Sequence, residues 1–156
     1  MISPQLSQYF SHAANWLKDR FIVDSICCIY PTAPLLKSSD LKKGWQILSQ
    51  SGLDYVFGAT SYRFPIQRAF TVDERNRISV FDHKLINARS QDLDSYWHDA
   101  GQFYWGKMNA WLKGDPIFSN KSAALQLPHY RVQDIDTISD WKQAELMFKS
   151  INSSNK

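Results

Sequence analysis

Two short apolar runs with an amphipathic stretch between them constrain the fold of this chain most. "SICCIY" (25–30) and "DYVFGAT" (54–60) are continuous apolar runs, the pattern of strands that are covered on both faces. Residues 39–52 between them carry apolar side chains at helical spacing, with Ser39 as the predicted N-cap and Gly52 as the predicted stop. Strand, helix and strand at this spacing predict a βαβ unit with parallel pairing, and therefore an α/β sheet.

Further elements surround this unit. The spacing of apolar residues predicts a helix over 3–20, and a capping box of Thr137 and Asp140 predicts a helix that runs to about residue 151. We expect this last helix to bury an apolar face made of Trp141, Ala144, Leu146 and Phe148. The middle of the chain is predicted, in order, as a hairpin (70–81) turning near Asn76, a long polar loop (82–98), a strand (101–106) and a short helix from Met108.

The bulk composition indicates one globular domain over residues 1–151, followed by a disordered tail over 152–156. The net charge of +3 is too weak and dispersed to indicate a nucleic-acid partner, and no apolar run has the length of a membrane span. Cys27 and Cys28 are adjacent, so they point to opposite faces of a strand and form no disulfide framework. We therefore expect a reducing, cytoplasmic setting.

Asp134 and Asp136 stand one residue apart, just before the predicted last helix. In extended backbone both carboxylates point to one face while Ile135 points to the other. Two close carboxylates repel unless a cation neutralises them, and Mg²⁺ takes one or two carboxylates together with substrate phosphate oxygens. The alternative is that Asp136 only supports the N-terminus of the helix, where negative charge is favoured. The spacing alone leaves both interpretations open.

Basic, amide and aromatic side chains gather in the middle of the chain: Arg63, Arg68, Arg89, Gln91, Tyr96, His98 and Tyr104. Arginine suits bidentate recognition of carboxylate or phosphate, so a pocket of such residues suits an acidic, polyhydroxylated molecule. The alternative for each arginine is a solvated surface charge. A catalytic pair of His98 with Asp99 is a further alternative, although no Ser or Cys nucleophile motif lies nearby.

Four segments together resemble the pseudaminic acid cytidylyltransferases, a branch of the CMP-nonulosonate (CMP-sialic acid) synthetases. In order, they are "CCIYPTAPLL", "FGATSYRFPIQRAF", "ARSQDLDSYWHDAGQFYWG" and "LPHYRVQDIDTISDWKQAE". The likeness runs from about Ser3 to Phe148. It implies a three-layer nucleotidyltransferase fold (Rossmann-like, of the nucleotide-diphospho-sugar transferase type) and a homodimer. It also implies a Mg²⁺-dependent reaction in which CTP and an acidic nine-carbon sugar give a CMP-sugar and pyrophosphate.

The resemblance also implies roles for particular residues. Asp134 and Asp136 match the family's metal-binding acids, which makes them the implied catalytic and metal-binding pair. "YPTAP" resembles the family segment Q-P-T-S-P, whose first residue lies near the substrate and is Tyr30 here. The implied sugar-binding side chains further along the chain are Arg63, Arg68, Arg89, Gln91, Tyr96 and Tyr104.

One departure from the family pattern bears on activity. Family members carry a loop of the type A-R-G-G-S-K that wraps the CTP phosphates, and these 156 residues contain nothing like it. We therefore expect the chain to correspond to the C-terminal two-thirds of the family fold, truncated at the N-terminus. As an isolated chain we expect weak or no transferase activity. The alternative is a non-catalytic remnant that binds an acidic sugar or pairs with a full-length homologue.

Overall fold

The structure, a computed structural model, describes residues 4–153, with side chains from Tyr9 onward. Its helices are α1 (Pro4–Lys18), α2 (Ser38–Gln50), α3 (Met108–Lys113) and α4 (Ile138–Ser153). Its strands are β1 (Ser25–Ile29), β2 (Tyr55–Ser61), β3 (Phe70–Val72), β4 (Ile78–Val80), β5 (Trp97–Lys107) and β6 (Ser122–Gln126). Within this range, no helix combines the length and apolar character needed to cross a membrane.

The main sheet is mixed, with the strand order β1-β5-β2-β6. β5 is antiparallel to both β1 and β2, whereas β2 and β6 are parallel. The predicted parallel pairing of β1 with β2 is therefore wrong, although the two strands run in the same direction. A βαβ pattern fixes the direction of two strands but not their adjacency, and here β5 returns from a long loop to lie between them. The predicted α/β class is confirmed.

The sheet carries a hydrophobic core on each face because successive residues of β5 point to opposite sides. Tyr104 packs with residues of α1 and α3 on one face, and Phe103 packs against Leu127 on the other. Cys28 joins the first cluster and Cys27 the second, which confirms that the two thiols lie on opposite faces.

Helix α2 covers the Phe103 face at close range. A Cβ placed on Gly44 would lie 2.9 Å from the rings of both Phe103 and Trp105, so glycine permits the contact. The helix begins two residues earlier than predicted, since its N-cap is Lys37 rather than Ser39. The backbone N–H of Lys37 donates to the Asp40 carboxylate at 3.2 Å, which closes the first turn.

Several predicted elements are confirmed and one was missed. The β3–β4 hairpin pairs as expected, with Asn76 in the left-handed conformation at φ 59°. β5 begins at Trp97, four residues before the predicted strand. β6 was not predicted because its sequence, "SAALQ", consists largely of small residues and offers neither an apolar run nor a clear alternation.

The capping box before α4 is confirmed. The backbone N–H of Asp140 donates to Thr137 Oγ1 at 3.2 Å, and the backbone N–H of Thr137 donates to Asp140 Oδ2 at 2.9 Å. The helix extends to Ser153, so residues 152 and 153 of the predicted disordered tail are helical. Residues 154–156 of that tail, like residue 3 of the predicted first helix, lie outside the described residues.

The predicted buried face of α4 is wrong. Trp141, Leu146 and Phe148 are 55%, 61% and 54% exposed, and among the four predicted residues only Ala144 is buried. Apolar side chains at helical spacing indicate a face that is able to pack, but they do not show that a partner is present. Trp141 and Phe148 lie on one side of α4 and Leu146 lies on the other, and the elements of residues 4–153 leave each of them more than half exposed.

Candidate active site

The ends of three strands meet at one edge of the sheet. β1, β2 and β6 run in the same direction, and β5, which is antiparallel to its neighbours, begins at this edge. The edge therefore collects Tyr30, the segment 61–68 and the segment 127–136, each of which follows the carboxyl end of a strand. "YPTAP", "TSYRFPIQR" and the Asp pair therefore lie at or after strands that end at a common edge, which is where ligands bind in open α/β sheets.

A bulge in β5 shapes this edge. Phe57 pairs with Tyr104 and Ala59 pairs with Asp99, so residues 100–103 of β5 lie opposite a single residue of β2. Gly101 takes the left-handed conformation at φ 61°, and its backbone N–H donates to Asp99 Oδ1 at 3.0 Å. The bulge brings the Asp99 carboxylate back over the side chain of Tyr104.

Two phenols and a carboxylate form a connected cluster at the bulge. The Tyr104 hydroxyl donates to Asp99 Oδ2 at 2.5 Å. Tyr30 packs against Tyr104, and their ring centroids are 5.3 Å apart. Burial first, and then the hydrogen bond with Asp99, raise the pKa of Tyr104 above its ordinary value; burial also raises the pKa of Tyr30. Both phenols therefore remain protonated near neutral pH. Tyr104 is completely buried and already donates its hydroxyl proton to Asp99, so the structure does not support the predicted contact between Tyr104 and a sugar.

Asp134 reaches the same cluster from the segment after β6. Its Cγ and Oδ1 lie 4.0 Å from the position a Cβ on Gly101 would take, and its charge contributes to raising the pKa of Tyr30. Its Oδ1 accepts the backbone N–H of Ile135 at 3.1 Å. Glycine at 101 leaves room for this carboxylate, so the bulge and the Asp pair are coupled in space.

Asp136 is exposed, as Asp134 is, while Ile135 is partly buried between them. The helix behind the pair is capped by Thr137 and Asp140, and Asp136 contributes only its backbone N–H, which donates to Asp140 Oδ2 at 3.3 Å. The capping alternative for the Asp136 carboxylate therefore receives no support from the hydrogen bonds. Its oxygens accept no hydrogen bond from the part of the chain that the structure describes.

The carboxylate oxygens of Asp134 and Asp136 suit a hard cation whose remaining ligands come from a substrate and water. Among residues 4–153, no group of three or more His, Cys, Asp or Glu side chains could hold a metal ion by itself. Mg²⁺ is commonly held by one or two carboxylates and completes its shell with waters and phosphate oxygens. Asp134 and Asp136 match that requirement in number and chemistry.

A polar cleft of about 530 Å³ opens beside the cluster, next to the ends of β2 and β6 and the start of β5. It is lined by Thr60, Ser61, Tyr62, Arg63, Phe64, His98, His129, Val132, Gln133, Gln143 and Met147. The cleft adjoins the cluster through the chain, because His98 precedes Asp99 and Gln133 precedes Asp134. Its volume lies within the range of small-molecule sites.

The structure places the remaining predicted site residues in three different settings. Arg63 lines the cleft. Arg68 instead braces the long loop, because its Nε donates to the Ile86 carbonyl at 3.2 Å and its Nη1 to Ser90 Oγ at 3.1 Å. The structure brings Arg89, Gln91 and Tyr96 neither into the cleft nor to the phenol cluster; all three side chains are exposed on or beside that loop.

The alternative of a His98–Asp99 catalytic pair is wrong. His98 Nδ1 donates to the backbone carbonyl of Asp99 at 2.9 Å, and the Asp99 carboxylate is occupied by Gly101 and Tyr104. His98 instead packs against Tyr62 in the wall of the cleft, with ring centroids 4.8 Å apart and ring planes tilted by 55°.

Sequence reasoning missed three polar residues of this region: Asp99 as a partner of Tyr104, Ser61 and His129. Ser61 and His129 are 68 positions apart, so no local spacing could have linked them. Asp99 was visible beside the predicted strand, but its role depends on the bulge. The glycine at position 101, two residues after Asp99, was the one available signal for that bulge.

Comparisons with known proteins show which proteins this chain is similar to. No family model matches the sequence. Two proteins named pseudaminic acid cytidylyltransferase, from two Campylobacter jejuni strains, are 44% identical to this chain over 128 residues. That alignment covers 82% of this chain and 55% of each relative, so the chain spans about half the length of the curated relatives it matches.

More distant relatives carry related names. A Helicobacter pylori protein named pseudaminic acid cytidylyltransferase and UDP-2,4-diacetamido-2,4,6-trideoxy-beta-L-altropyranose hydrolase is 37% identical over 120 residues, which are 76% of this chain and 22% of that protein. N-acylneuraminate cytidylyltransferase B of Danio rerio is 26% identical over 148 residues, 92% of this chain and 35% of that protein. The resemblance carried by the four segments is confirmed: the chain is a relative of the pseudaminic acid cytidylyltransferases.

Proposed function

We propose that this chain carries the sugar-binding and metal-binding part of a cytidylyltransferase site of the nucleotidyltransferase fold. In that reaction CTP and an acidic, N-acylated nine-carbon sugar give a CMP-sugar and pyrophosphate. The observation that carries the proposal is the 44% identity to two pseudaminic acid cytidylyltransferases over 82% of the chain. The N-acyl group is taken from the name of the Danio rerio relative.

In this proposal Asp134 and Asp136 hold Mg²⁺. When bound, the ion would neutralise phosphate oxygens of the nucleotide and help to orient the sugar hydroxyl for in-line attack. Tyr30 contributes a neutral phenol group beside Asp134. The buried Tyr104 supports Tyr30 from below, and its hydroxyl is held by a hydrogen bond that it donates to Asp99. Tyr30 and the aspartate pair bind and orient the sugar at the edge of the sheet.

Arg63 supplies positive charge in the adjoining cleft, where it suits the carboxylate of an acidic sugar. Arg68, Arg89, Gln91 and Tyr96 belong to the loop side of the site. Because Arg68 ties residues 86 and 90 together, we propose that it sets the conformation of this loop, which carries Arg89 and Gln91. A homodimer would allow the exposed side chains of this loop to serve the site of a second copy.

The isolated chain is proposed to be weakly active or inactive. These 156 residues contain no phosphate-wrapping loop, so the donors for the CTP phosphates must come from elsewhere. A second candidate function is a non-catalytic protein that binds an acidic sugar or pairs with a full-length homologue. The observation that favours it is the exposed apolar face of α4 made by Trp141 and Phe148, which lie seven residues apart and therefore on one side of the helix.

Two measurements test the proposal. CMP-sugar formation from CTP and pseudaminic acid with Mg²⁺ should be slow or undetectable for this chain. It should rise when the part of a Campylobacter jejuni relative that precedes the matched region is added as a separate polypeptide. Calorimetry with pseudaminic acid alone should show binding in the first candidate function, and in the second if the chain is a sugar-binding protein rather than only a partner of a homologue. No binding of the sugar and no product in the complemented mixture would refute the cytidylyltransferase assignment.

A further inference from the structure

The hydrogen bonds around His129 determine which of its ring nitrogens carries the proton. Thr60 Oγ1 donates its single proton to the Leu127 carbonyl at 2.9 Å. The same oxygen lies 3.3 Å from His129 Nδ1, and with its proton committed it can only accept from that nitrogen. His129 Nδ1 therefore carries a proton and donates it to Thr60.

This assignment fixes the direction of the next hydrogen bond. In a neutral imidazole with a proton on Nδ1, Nε2 is an acceptor. Ser61 Oγ lies 3.3 Å from His129 Nε2, so the Ser61 hydroxyl donates its proton to the ring. A series of hydrogen bonds with one donor direction then runs from Ser61 through His129 and Thr60 to the carbonyl of Leu127. Thr60 is 3% exposed, so its hydroxyl is shielded from competing water.

Ser61 lines the polar cleft with its only hydroxyl proton already in use. Towards a ligand, its oxygen can therefore act only as an acceptor. His98, in the same wall, is constrained similarly: its Nδ1 donates to the Asp99 carbonyl, so Nε2 of the neutral ring is also an acceptor. Two acceptors near the cationic Arg63 suit a ligand that combines N–H or O–H donors with a carboxylate.

We propose that Ser61, oriented by His129 and Thr60, is a specificity-determining acceptor for an N–H group of an acylamino sugar acid that is bound in this cleft. The inference rests on the proposed function, because the acylamino sugar comes from it. It adds a contact that lies outside the aspartate pair and the phenol cluster. Because Ser61 Oγ can only accept, the site disfavours a ligand that places a carbonyl or carboxylate oxygen beside it. Two acceptors would then face each other without a proton between them.

The proton assignment can be tested without any ligand. ¹⁵N NMR of histidine-labelled protein should show His129 as the neutral tautomer with its proton on Nδ1. Thr60→Val removes the acceptor for that proton and should shift His129 towards the other tautomer, whereas Thr60→Ser should preserve it. His83 is exposed and serves as an internal reference. An Nε2-protonated His129 in the unmodified protein would overturn the inference.

The ligand contact is tested by calorimetry with pseudaminic acid. Ser61→Ala should weaken binding about 3- to 10-fold, the range expected for one net hydrogen bond. Thr60→Val should weaken it as well, and Thr60→Ser should restore most of the loss. Ser49→Ala is the matched control, because that hydroxyl donates to Gln46 on α2 and lies outside the cleft.

The outcomes separate this inference from the proposed function. If pseudaminic acid binds but Ser61→Ala and Thr60→Val leave the dissociation constant unchanged, the acceptor role is refuted while the proposed function stands. If pseudaminic acid does not bind, and no CMP-sugar forms in the complemented mixture, both are refuted. Weaker binding by Ser61→Ala and by Thr60→Val, with the loss restored by Thr60→Ser, supports the series of hydrogen bonds that orients Ser61.

Discussion

Arg131 and Asp40 form a bidentate ion pair between the segment after β6 and the first turn of α2. Arg131 Nη1 lies 2.5 Å from Asp40 Oδ2, and Nη2 lies 3.2 Å from Oδ1. Both residues are buried, at 9% and 5% exposure. Because Arg131 precedes Asp134 by three residues, this pair anchors the start of the segment that carries both candidate metal ligands.

The first prediction follows from the burial of this pair. Arg131→Met leaves the Asp40 carboxylate buried without its counter-charge, and we expect the free energy of unfolding to fall by about 3–5 kcal/mol. Urea denaturation measures the change. Arg77→Met is the matched control, since Arg77 pairs with Asp73 at 2.8 Å on the exposed hairpin and should cost less than about 1 kcal/mol. Equal losses for the two variants would contradict the anchoring role.

The second prediction concerns the cap of α4. Thr137→Ala removes the side-chain acceptor of the Asp140 N–H and should lower the free energy of unfolding by about 1 kcal/mol. Asp136→Asn, at a carboxylate outside the cap, should leave the free energy of unfolding unchanged.

The cap also makes stability depend on pH. Hydrogen bonds from Thr137 lower the pKa of Asp140, so the stabilising contribution of the Asp140 carboxylate is present above the ordinary carboxyl range and is lost as the pH falls. Thermal melts between neutral and acid pH should show a smaller pH dependence for Thr137→Ala.

The contrast between what the sequence predicted and what it missed has a physical basis. Local patterns identified β1, α2, β2, the hairpin and the capping box, because each depends on residues within a few positions of one another. The insertion of β5 between β1 and β2 depends on pairing between distant segments. The exposed side of α4 shows the same limit, since spacing reports an apolar face and not what covers it.

The candidate site divides in the same way. Tyr30 and the two aspartates were identified by motif, and each lies where a strand leaves the sheet. The loop residues Arg89 and Gln91 were named by the same resemblance, yet the structure does not bring them to the cleft. Sequence reasoning could not link Ser61 with His129, because their hydrogen bond joins the last residue of β2 to the segment after β6.

The third prediction concerns the close packing of β5 beneath α3. A Cβ on Gly106 would lie 2.6 Å from both Trp111 Cε2 and Tyr55 Cε1, closer than real contacts allow. Gly106→Ala should therefore lower the free energy of unfolding by about 1–3 kcal/mol, as overpacking does. Gly52→Ala is the control, because nothing lies within 4 Å of the corresponding position. Similar stability of the two variants in urea would contradict this account of the packing.

The fourth prediction concerns the two adjacent thiols of β1. Burial first, and then the neighbouring Cys28, raise the pKa of Cys27 to about 12; burial raises the pKa of Cys28 to about 11. A group whose pKa is raised on folding stabilises the protein below its unfolded pKa, and this contribution is lost as the pH rises towards the folded value. We expect stability to fall from about pH 9 upwards, and less so for a Cys27→Ala, Cys28→Ala double variant.

Alkylation tests the burial of the same two thiols. At pH 7.5 both should react with iodoacetamide more slowly in the native protein than in urea; equal rates would contradict the assigned burial.

The last prediction concerns the aspartates that the proposed function assigns to Mg²⁺. Mn²⁺ shares the preference of Mg²⁺ for oxygen ligands and broadens NMR signals of nearby nuclei. In the unmodified chain we expect broadening centred on residues 134–136 and Gly101, because Asp134 lies against that glycine. Asp136→Asn should remove most of it without lowering stability, whereas Asp92→Asn, on the exposed loop, should not. Broadening that survives both Asp134→Asn and Asp136→Asn would place the cation elsewhere and leave the pair without a metal role.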